Sequence, residues 1–210
     1  REFFTLIISF ELLSIPLYLI SGMGTNSKRS IEAATKFFFF GSLSTVCLIF
    51  SAVLFYAIAG TTSFVDIDWG SNDFILVTAS IFLLIAVSFK CALYPFQFWV
   101  SDVYESAPMN MLPFLSTIPK ISIIGFLIFF FNALTSNSLN HHILIIIAII
   151  SIASILVGSL LAIKQNNLLR LLAYSGIPHA GMMLIGIMST NNISGDILIL
   201  YFTFYTVANV

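Results

Sequence analysis

The chain has 210 residues, of which 59% are hydrophobic and only 8% are charged, and its formal net charge is −1. Its mean hydropathy is +1.06. Soluble globular domains carry about 25% charged residues, so this composition excludes an ordinary soluble domain and indicates an integral membrane protein. The near-zero net charge also excludes the basic surface that nucleic-acid-binding proteins present.

Seven apolar segments follow one another along the chain, and all but the last two have the roughly 17–25 residues or more that a membrane-spanning helix needs. They are residues 3–22, 32–60, 73–99, 108–134, 142–163, 171–188 and 195–210. None shows the alternating pattern of a transmembrane β-strand, so the predicted fold is an all-α, polytopic bundle of about seven helices. Because both ends fall in or beside apolar runs, we expect a processed, split or partial piece of a larger protein.

The charges of the polar loops between the segments predict which loops lie on the same side of the membrane. Loops one, three and five lie together if all seven segments span, and the positive-inside rule places them in the cytoplasm or matrix. Asp102 and Glu105, in the third loop, are then expected to pair with basic residues of the first loop or with a partner subunit. All four basic loop residues lie in or flank odd-numbered connections: Lys28, Arg29, Lys164 and Arg170.

The third segment is predicted to break near Lys90. Pro95 lies inside it, and an interior proline removes a backbone hydrogen bond and clashes with the carbonyl four residues earlier, here that of Cys91. Broken helices in transporters expose backbone groups and place ion sites near the bilayer midplane. The fourth segment repeats the pairing, since Pro119 directly precedes Lys120. Prolines that only kink the two helices are the alternative.

Four residues that are charged at neutral pH lie four or more positions inside the apolar segments: Glu11, Lys36, Lys90 and Lys120. A charge at the bilayer centre costs at least about 2.5–3.5 kcal/mol, so such residues usually mark an ion or proton path. The alternatives are a hydrogen-bonded neutral carboxyl at Glu11 and snorkelling side chains at Lys90 and Lys120. Lys36 follows Glu32 at i,i+4, so a local ion pair explains it at least as well as a path.

A pair of Glu11 and Lys90 would act as a proton switch. Burial disfavours the charged form of a lysine and a nearby carboxylate favours it, so a pair that tightens and loosens would hold and release a proton. His179 is a candidate relay because histidine titrates near neutral pH; a satisfied packing histidine is the alternative. The sequence carries no phosphate loop, nucleophile triad, haem ligand pair or metal cluster, so we expect no redox cofactor in this chain.

Several motifs resemble the antiporter-like membrane-arm subunits of respiratory complex I (NADH:ubiquinone oxidoreductase), and among these the subunit 2 branch. They are FELLSIPLY at residues 10–18, EAATKFF at 32–38, FKCALYPFQFW at 89–99, SDVYESAP at 101–108, FLSTIPK at 114–120 and KQNNLLRLLAYS at 164–175. The stretch at 102–108 favours NADH dehydrogenase subunit 2 over its subunit 4 and 5 paralogues. Together the motifs cover nearly the whole chain, in order.

The resemblance implies a fold of two inverted five-helix repeats, each with a discontinuous helix. Residues 1–134 would form most of the first repeat, and residues 142–210 the start of the second. The family's second-half lysine would lie beyond residue 210, so another chain or segment would complete the route across the membrane.

The resemblance also implies roles for individual residues. Glu11 and Lys90 match the family's paired glutamate and lysine. Lys120 matches the connecting lysine, and His179, in IPHAG at residues 177–181, matches a histidine on the central polar axis. Lys36 remains a possible modulator of the pair. The family commonly has histidine where Gln97 stands, which puts a titrating role there in doubt, although glutamine still hydrogen-bonds water.

The function that this resemblance implies is that of a core membrane-arm subunit, which takes part in proton translocation coupled to NADH oxidation and ubiquinone reduction. NADH, FMN, iron–sulfur clusters and quinone would be handled by other subunits, so this chain would bind no cofactor or metal. Its partners would be other membrane-arm subunits and lipids, with no nucleic acid. Its location would be the mitochondrial inner membrane, or alternatively a bacterial plasma membrane. The alternative functions are a multisubunit cation/proton antiporter subunit and a non-pumping structural fragment.

Overall fold

The fold is almost entirely helical. The computed structural model describes residues 2–24, 27–64, 67, 74–134, 141–188 and 192–209. Within these ranges the one β feature is an isolated bridge between Glu2 and Ser63, and the prediction of an all-α transmembrane bundle is confirmed. The helices are α1 (Phe3–Ser21), α2 (Ser27–Ala59), α3 (Phe74–Lys90), α4 (Phe98–Ser106), α5 (Leu112–Leu134), α6 (His141–Ile163), α7 (Leu168–Met188) and α8 (Asn192–Asn209), with a 3₁₀ turn at Met109–Met111 before α5.

All seven predicted segments contain an apolar helix, but several boundaries differ from the prediction. The sixth segment was expected to be short; α7 begins at Leu168 and has 21 residues, enough to span. The fourth was expected from residue 108, yet α5 begins only at Leu112. The predictions followed hydropathy, whereas helix ends are decided by backbone hydrogen bonding. Five stretches within the described residues are long and apolar enough to cross a membrane: Phe3–Ser21, Lys28–Ala59, Met109–Leu127, His142–Ile163 and Leu168–Met188.

The helices turn large apolar side chains outward and small polar ones inward, as α6 illustrates. Its Ser151 and Ser154 are fully buried. Each donates its hydroxyl hydrogen to the carbonyl four residues earlier, at 2.8 and 2.7 Å, so neither leaves an unpaired donor inside the protein. Ile152 and Leu156, in contrast, are more than half exposed. This is the arrangement expected of helices that pack through small residues and present aliphatic side chains to lipid.

The third segment breaks at Lys90, as predicted. Helix α3 ends there, and Ala92 adopts a left-handed backbone conformation with φ 56°. The segment resumes as α4 at Phe98. Two contacts stabilise the break: the Trp99 indole N–H donates to the Phe89 carbonyl at 3.1 Å, and the Tyr94 backbone N–H donates to Ser154 Oγ at 2.9 Å. The break therefore holds Lys90 at a helix end inside the bundle.

Helices α6 and α7 approach closely because glycines lie in their interface. A Cβ atom on Gly158 would lie 2.5 Å from Pro178 Cδ and 2.9 Å from Ile177 Cβ. A Cβ atom on Gly181 would lie 2.9 Å from the Ser151 carbonyl oxygen. Both distances are shorter than van der Waals contact, so the two backbones can meet only where the side chain is a hydrogen atom.

Gly158→Ala is expected to destabilise the protein, because the added methyl group collides with a proline ring and a β-branched side chain that have little freedom to move. Overpacking of this kind costs about 1–3 kcal/mol. The measurement is the thermal unfolding midpoint of the purified protein in detergent. Gly125→Ala is the matched control, since among the described residues beyond its chain neighbours and its own helix backbone no atom lies within 4 Å of the added Cβ. Equal midpoints for the two variants would contradict the predicted collision.

Candidate functional site

The structure brings Glu11 of α1 and Lys90 of α3 together. Lys90 Nζ lies 3.6 Å from Glu11 Oε1, and the side chains are 6% and 33% exposed, respectively. A buried ammonium with a half-buried carboxylate beside it is far less costly than an isolated buried charge. The pair that the sequence suggested is therefore formed in the folded chain, and Lys90 does not snorkel to the surface.

Neighbouring hydroxyls hold this pair in place. Lys90 Nζ donates to Ser14 Oγ at 2.6 Å, and Ser14 Oγ in turn donates to the Phe10 carbonyl at 2.6 Å. Thr45 Oγ1, from α2, donates to Glu11 Oε1 at 2.5 Å. Lys90 is also the last residue of α3, the end of a helix at which the dipole favours a cation. Sequence reasoning missed Ser14 and Thr45, although Ser14 is one turn from Glu11.

Lys120 of α5 is held in place by hydrogen bonds to a backbone carbonyl and a side-chain hydroxyl. Its side chain is buried at 6% exposure. Nζ donates to the Gly176 carbonyl of α7 at 2.9 Å and to the Tyr205 hydroxyl of α8 at 2.6 Å. Of the ion pairs between described residues, none includes Lys120. Both acceptors of the Lys120 ammonium are therefore neutral groups.

His179 lies beside the same helix, α8. Its Nδ1 is 2.6 Å from the Tyr201 hydroxyl, and its ring centroid is 5.3 Å from that of Tyr205. Tyr201 and Tyr205 therefore join His179 and Lys120 into one polar cluster. The sequence reasoning missed both tyrosines; their i,i+4 spacing in an otherwise apolar helix is the signal that could have found them.

A small cavity lies between Lys90 and helix α5. It measures about 20 Å³ and is lined by Ser14, Lys90, Pro119 and Ser122, among others. That volume is enough for about one water molecule. Because Pro119 directly precedes Lys120, the cavity connects the surroundings of Lys90 with the helix that carries Lys120. Gln97, in the α3–α4 connection, is buried, and its Oε1 has no hydrogen-bond partner among the described residues.

Lys36 lies in a different place from these groups. Its Nζ is 2.7 Å from Glu32 and 3.2 Å from Asp102, and its side chain is 45% exposed. The local pair with Glu32 is thus formed, as the i,i+4 spacing suggested. The structure places Lys36 at a surface cleft, where its ion-pair partners are Glu32 and Asp102 and not the Glu11–Lys90 pair.

Charged residues from three parts of the chain line this surface cleft. It measures about 550 Å³ and is lined by residues of the first, third and fifth loops or their flanking turns. The prediction that these loops share one side is therefore confirmed. Glu105 pairs with Arg170 at 2.6 Å and with Arg29 at 3.9 Å. Asp102 was expected to pair with the first loop or a partner; it pairs instead with Lys36 and Arg170.

The chemistry that these groups can perform is proton transfer. Lysine, glutamate and histidine side chains gain and lose protons, and hydroxyls beside them donate and accept hydrogen bonds. Within the described residues, no group of three histidine, cysteine or acidic side chains is arranged to hold a metal ion.

Comparisons with known proteins identify a family. The family described as NADH:quinone oxidoreductase/Mrp antiporter, TM, matches residues 1–210. NADH-quinone oxidoreductase subunit N 2 of Thermodesulfovibrio yellowstonii is 41% identical over 184 residues, which are 87% of this chain and 40% of the relative. NADH-quinone oxidoreductase subunit N of Wolbachia sp. subsp. Brugia malayi is 32% identical over 207 residues, which are 97% of this chain and 44% of the relative. The chain thus spans less than half the length of these curated relatives.

Two solved assemblies contain chains with the same fold. A chain of respiratory complex I from Thermus thermophilus with bound aureothin superposes with a TM-score of 0.78 at 30% identity, covering 99% of this chain and 45% of that one. A chain of the Mrp complex from Dietzia sp. superposes with a TM-score of 0.83 at 19% identity, covering 99% and 39%. At the lower identity, the likeness is one of fold alone.

Proposed function

Because the chain belongs to the NADH:quinone oxidoreductase/Mrp antiporter transmembrane family, we propose that it translocates protons as part of a membrane-arm subunit of an NADH:quinone oxidoreductase. The observation that carries the proposal is the buried Lys90 ammonium, which faces Glu11 at a break in its helix, 3.6 Å from the carboxylate. Intramembrane ionisable groups at broken helices are typical of ion and proton paths.

The pair works as a switch in this proposal. While Glu11 and Lys90 are close, the carboxylate stabilises the protonated lysine. When the pair opens, burial destabilises the ammonium, and Lys90 releases its proton toward the small cavity and Ser122. Redox energy released by quinone reduction in other subunits would drive the opening. Thr45 remains hydrogen-bonded to the Glu11 carboxylate, so Glu11 has a partner both when the pair is closed and when it is open.

Lys120 and His179 are the next proton-carrying groups on the path, and we call these two residues the stations. Lys120 accepts the proton across the cavity, where the Gly176 carbonyl and the Tyr205 hydroxyl stabilise it. His179, hydrogen-bonded to the Tyr201 hydroxyl, then passes the proton onward along the bundle. Lys36 modulates the entrance from the charged surface cleft and does not itself lie on the route. A segment or chain that follows α8 would complete the path to the other side of the membrane.

The remaining parts of the proposal concern the whole protein. Oxidation of NADH and reduction of quinone occur at cofactors held by other subunits, and this chain carries protons only. Its partners are other membrane-arm subunits. The two relatives above are bacterial, which supports a bacterial plasma membrane over the mitochondrial inner membrane as its location.

Two other functions make different predictions. A cation/proton antiporter subunit shares the fold, but the same motif at residues 102–108 favours the oxidoreductase. A non-pumping scaffold would have no need of buried ionisable groups, and the hydrogen-bonded network around Lys90 and Lys120 argues against it.

Purification of the full-length protein from its native membrane tests the proposal. We expect it to co-purify with quinone-reductase subunits and with NADH:quinone reductase activity. Co-purification with antiporter subunits, together with sodium/proton exchange and no quinone reductase activity, would support the antiporter alternative.

A further inference from the structure

Two tyrosines on α8 are hydrogen-bonded to the last two residues of the proposed proton path, Lys120 and His179. Tyr205 bonds Lys120 and Tyr201 bonds His179, both at 2.6 Å. We propose that Tyr205 and Tyr201 are positioning residues that decide when Lys120 and His179 hold a proton, so that α8 controls both stations together. This inference rests on the proposed function, since it assigns regulation to the same proton path.

Tyr205 stabilises the charged form of Lys120 in two ways. Its hydroxyl oxygen accepts a hydrogen bond from Nζ, and its ring centroid lies 4.9 Å from the ammonium. Hydrogen bonds to charged groups are stronger than neutral ones, and an aromatic face attracts a cation most strongly where water is excluded. Tyr205 is buried at 6% exposure, so both contacts are dry.

Few other groups can replace these contacts. The Gly176 carbonyl is the second acceptor for Nζ, and no carboxylate of the described residues pairs with Lys120. Among the described residues, the elements packed around α5 carry these titratable groups into the region: Glu11 and Tyr18 on α1, Lys90 on α3, Cys91 after α3, Tyr104 on α4, His179 on α7, and Tyr201 and Tyr205 on α8.

Tyr201 can accommodate both protonation states of His179. When Nδ1 carries no hydrogen, the Tyr201 hydroxyl donates to it. When Nδ1 gains a proton it becomes the donor, and the Tyr201 hydroxyl hydrogen turns to its other acceptor, Met182 Sδ, at 4.0 Å. The histidine gains one proton, and the tyrosine keeps its own. Because the hydrogen bond from the charged ring is the stronger of the two, loss of the contact would lower the proton affinity of His179.

Both contacts come from the same face of one helix. Tyr201 and Tyr205 are separated by about one turn, or 5.4 Å along the axis. Tyr201 contacts His179 of α7, and Tyr205 contacts Lys120 of α5. A small shift or rotation of α8 would lengthen both hydrogen bonds at once. Movement of this single helix would thus change the proton affinity of two stations on different helices.

The test uses the full-length protein in its assembled complex, in inside-out vesicles driven by NADH. Tyr205→Phe removes only the hydroxyl, so Lys120 should lose its proton at lower pH. The alkaline limb of the pH profile of pumping is expected to move to lower pH by about one to two units. Tyr201→Phe should leave that limb unchanged and lower the maximal pumping rate severalfold. Tyr56→Phe, at an exposed position on α2, is the matched control.

The outcomes separate this inference from the proposed function. If Lys120→Met stops pumping while Tyr205→Phe keeps the wild-type pH profile, the tyrosine role is wrong and the proton path stands. If Lys120→Met pumps normally, the path itself is wrong. A normal maximal rate in Tyr201→Phe removes Tyr201 from the proposal. Should Tyr205→Phe fail to assemble, 3-fluorotyrosine at position 205 keeps the ring and weakens the acceptor. It is expected to shift the limb in the same direction, and an unshifted limb contradicts the proposal.

Discussion

Lys90→Met is expected to abolish proton translocation while leaving the fold intact. Methionine matches the length of the lysine stem and is apolar, so it fills the buried position beside Phe10 without a charge. Ser14 still donates to the Phe10 carbonyl, and Thr45 still donates to Glu11. Positioned proton-transfer groups contribute about a hundredfold or more in rate, so pumping should fall by roughly that factor. The measurement is proton uptake per NADH oxidised in inside-out vesicles that contain the full-length protein.

Lys90→Arg separates the role of charge from that of proton release. Arginine keeps the positive charge beside Glu11 but does not give up its proton in proteins. We therefore expect this variant to assemble and retain the ion pair, yet to pump no better than Lys90→Met. Lys164→Met, at an exposed loop position, is the control and should pump as the wild type does. Fully coupled pumping in Lys90→Met would rule out the proposed switch.

Gly176→Ala is expected to impair pumping almost as strongly as the loss of Lys120 itself. A Cβ atom on Gly176 would lie 2.5 Å from Lys120 Nζ and 3.3 Å from the Tyr205 hydroxyl. The ammonium would have to move away from the very carbonyl that it now bonds, and it would lose contact with the tyrosine as well. The loss of one or both hydrogen bonds to a charged group is worth about 1.5–3 kcal/mol each, so we expect at least a tenfold decrease in pumping rate.

The comparison with Gly125→Ala makes this prediction specific. Both substitutions add one methyl group to a helical glycine, but at Gly125 no described residue outside its own helix backbone has an atom within 4 Å of the added Cβ. Gly125→Ala should therefore pump normally. Assembly of each variant is checked on a native gel. A Gly176→Ala protein that assembles and pumps normally would show that Lys120 needs neither of its present partners.

The helices and the charged members of the site were predictable from the sequence for one reason, the hydrocarbon core of the membrane. Lipid forces each spanning backbone to satisfy its own hydrogen bonds, so long apolar runs become helices. Lipid also makes each buried charge costly, so Glu11, Lys90 and Lys120 stood out against an apolar background. The break at Lys90 was predictable because Pro95 disrupts helical hydrogen bonding within the same run.

The neutral partners were not predictable in the same way. Ser14, Thr45 and Tyr205 carry hydroxyls that a membrane helix tolerates at many positions, since such side chains often bond their own backbone. Their roles depend on contacts between distant parts of the chain: Lys90 and Ser14 are 76 residues apart, and Lys120 and Tyr205 are 85 apart. Helix ends were also uncertain by several residues, because hydropathy falls gradually while hydrogen bonding ends at a particular turn.

By itself, then, the sequence determined that this protein spans a membrane with helices and carries buried ionisable groups, because transfer of residues into lipid depends mainly on their chemical type. Only the tertiary structure decided which groups meet. It paired Glu11 with Lys90, placed Lys36 in a separate cleft, and brought Tyr205 of α8 to Lys120. The reason is that a hydrogen bond or ion pair requires contact within a few ångströms, and helix packing alone determines which side chains come that close.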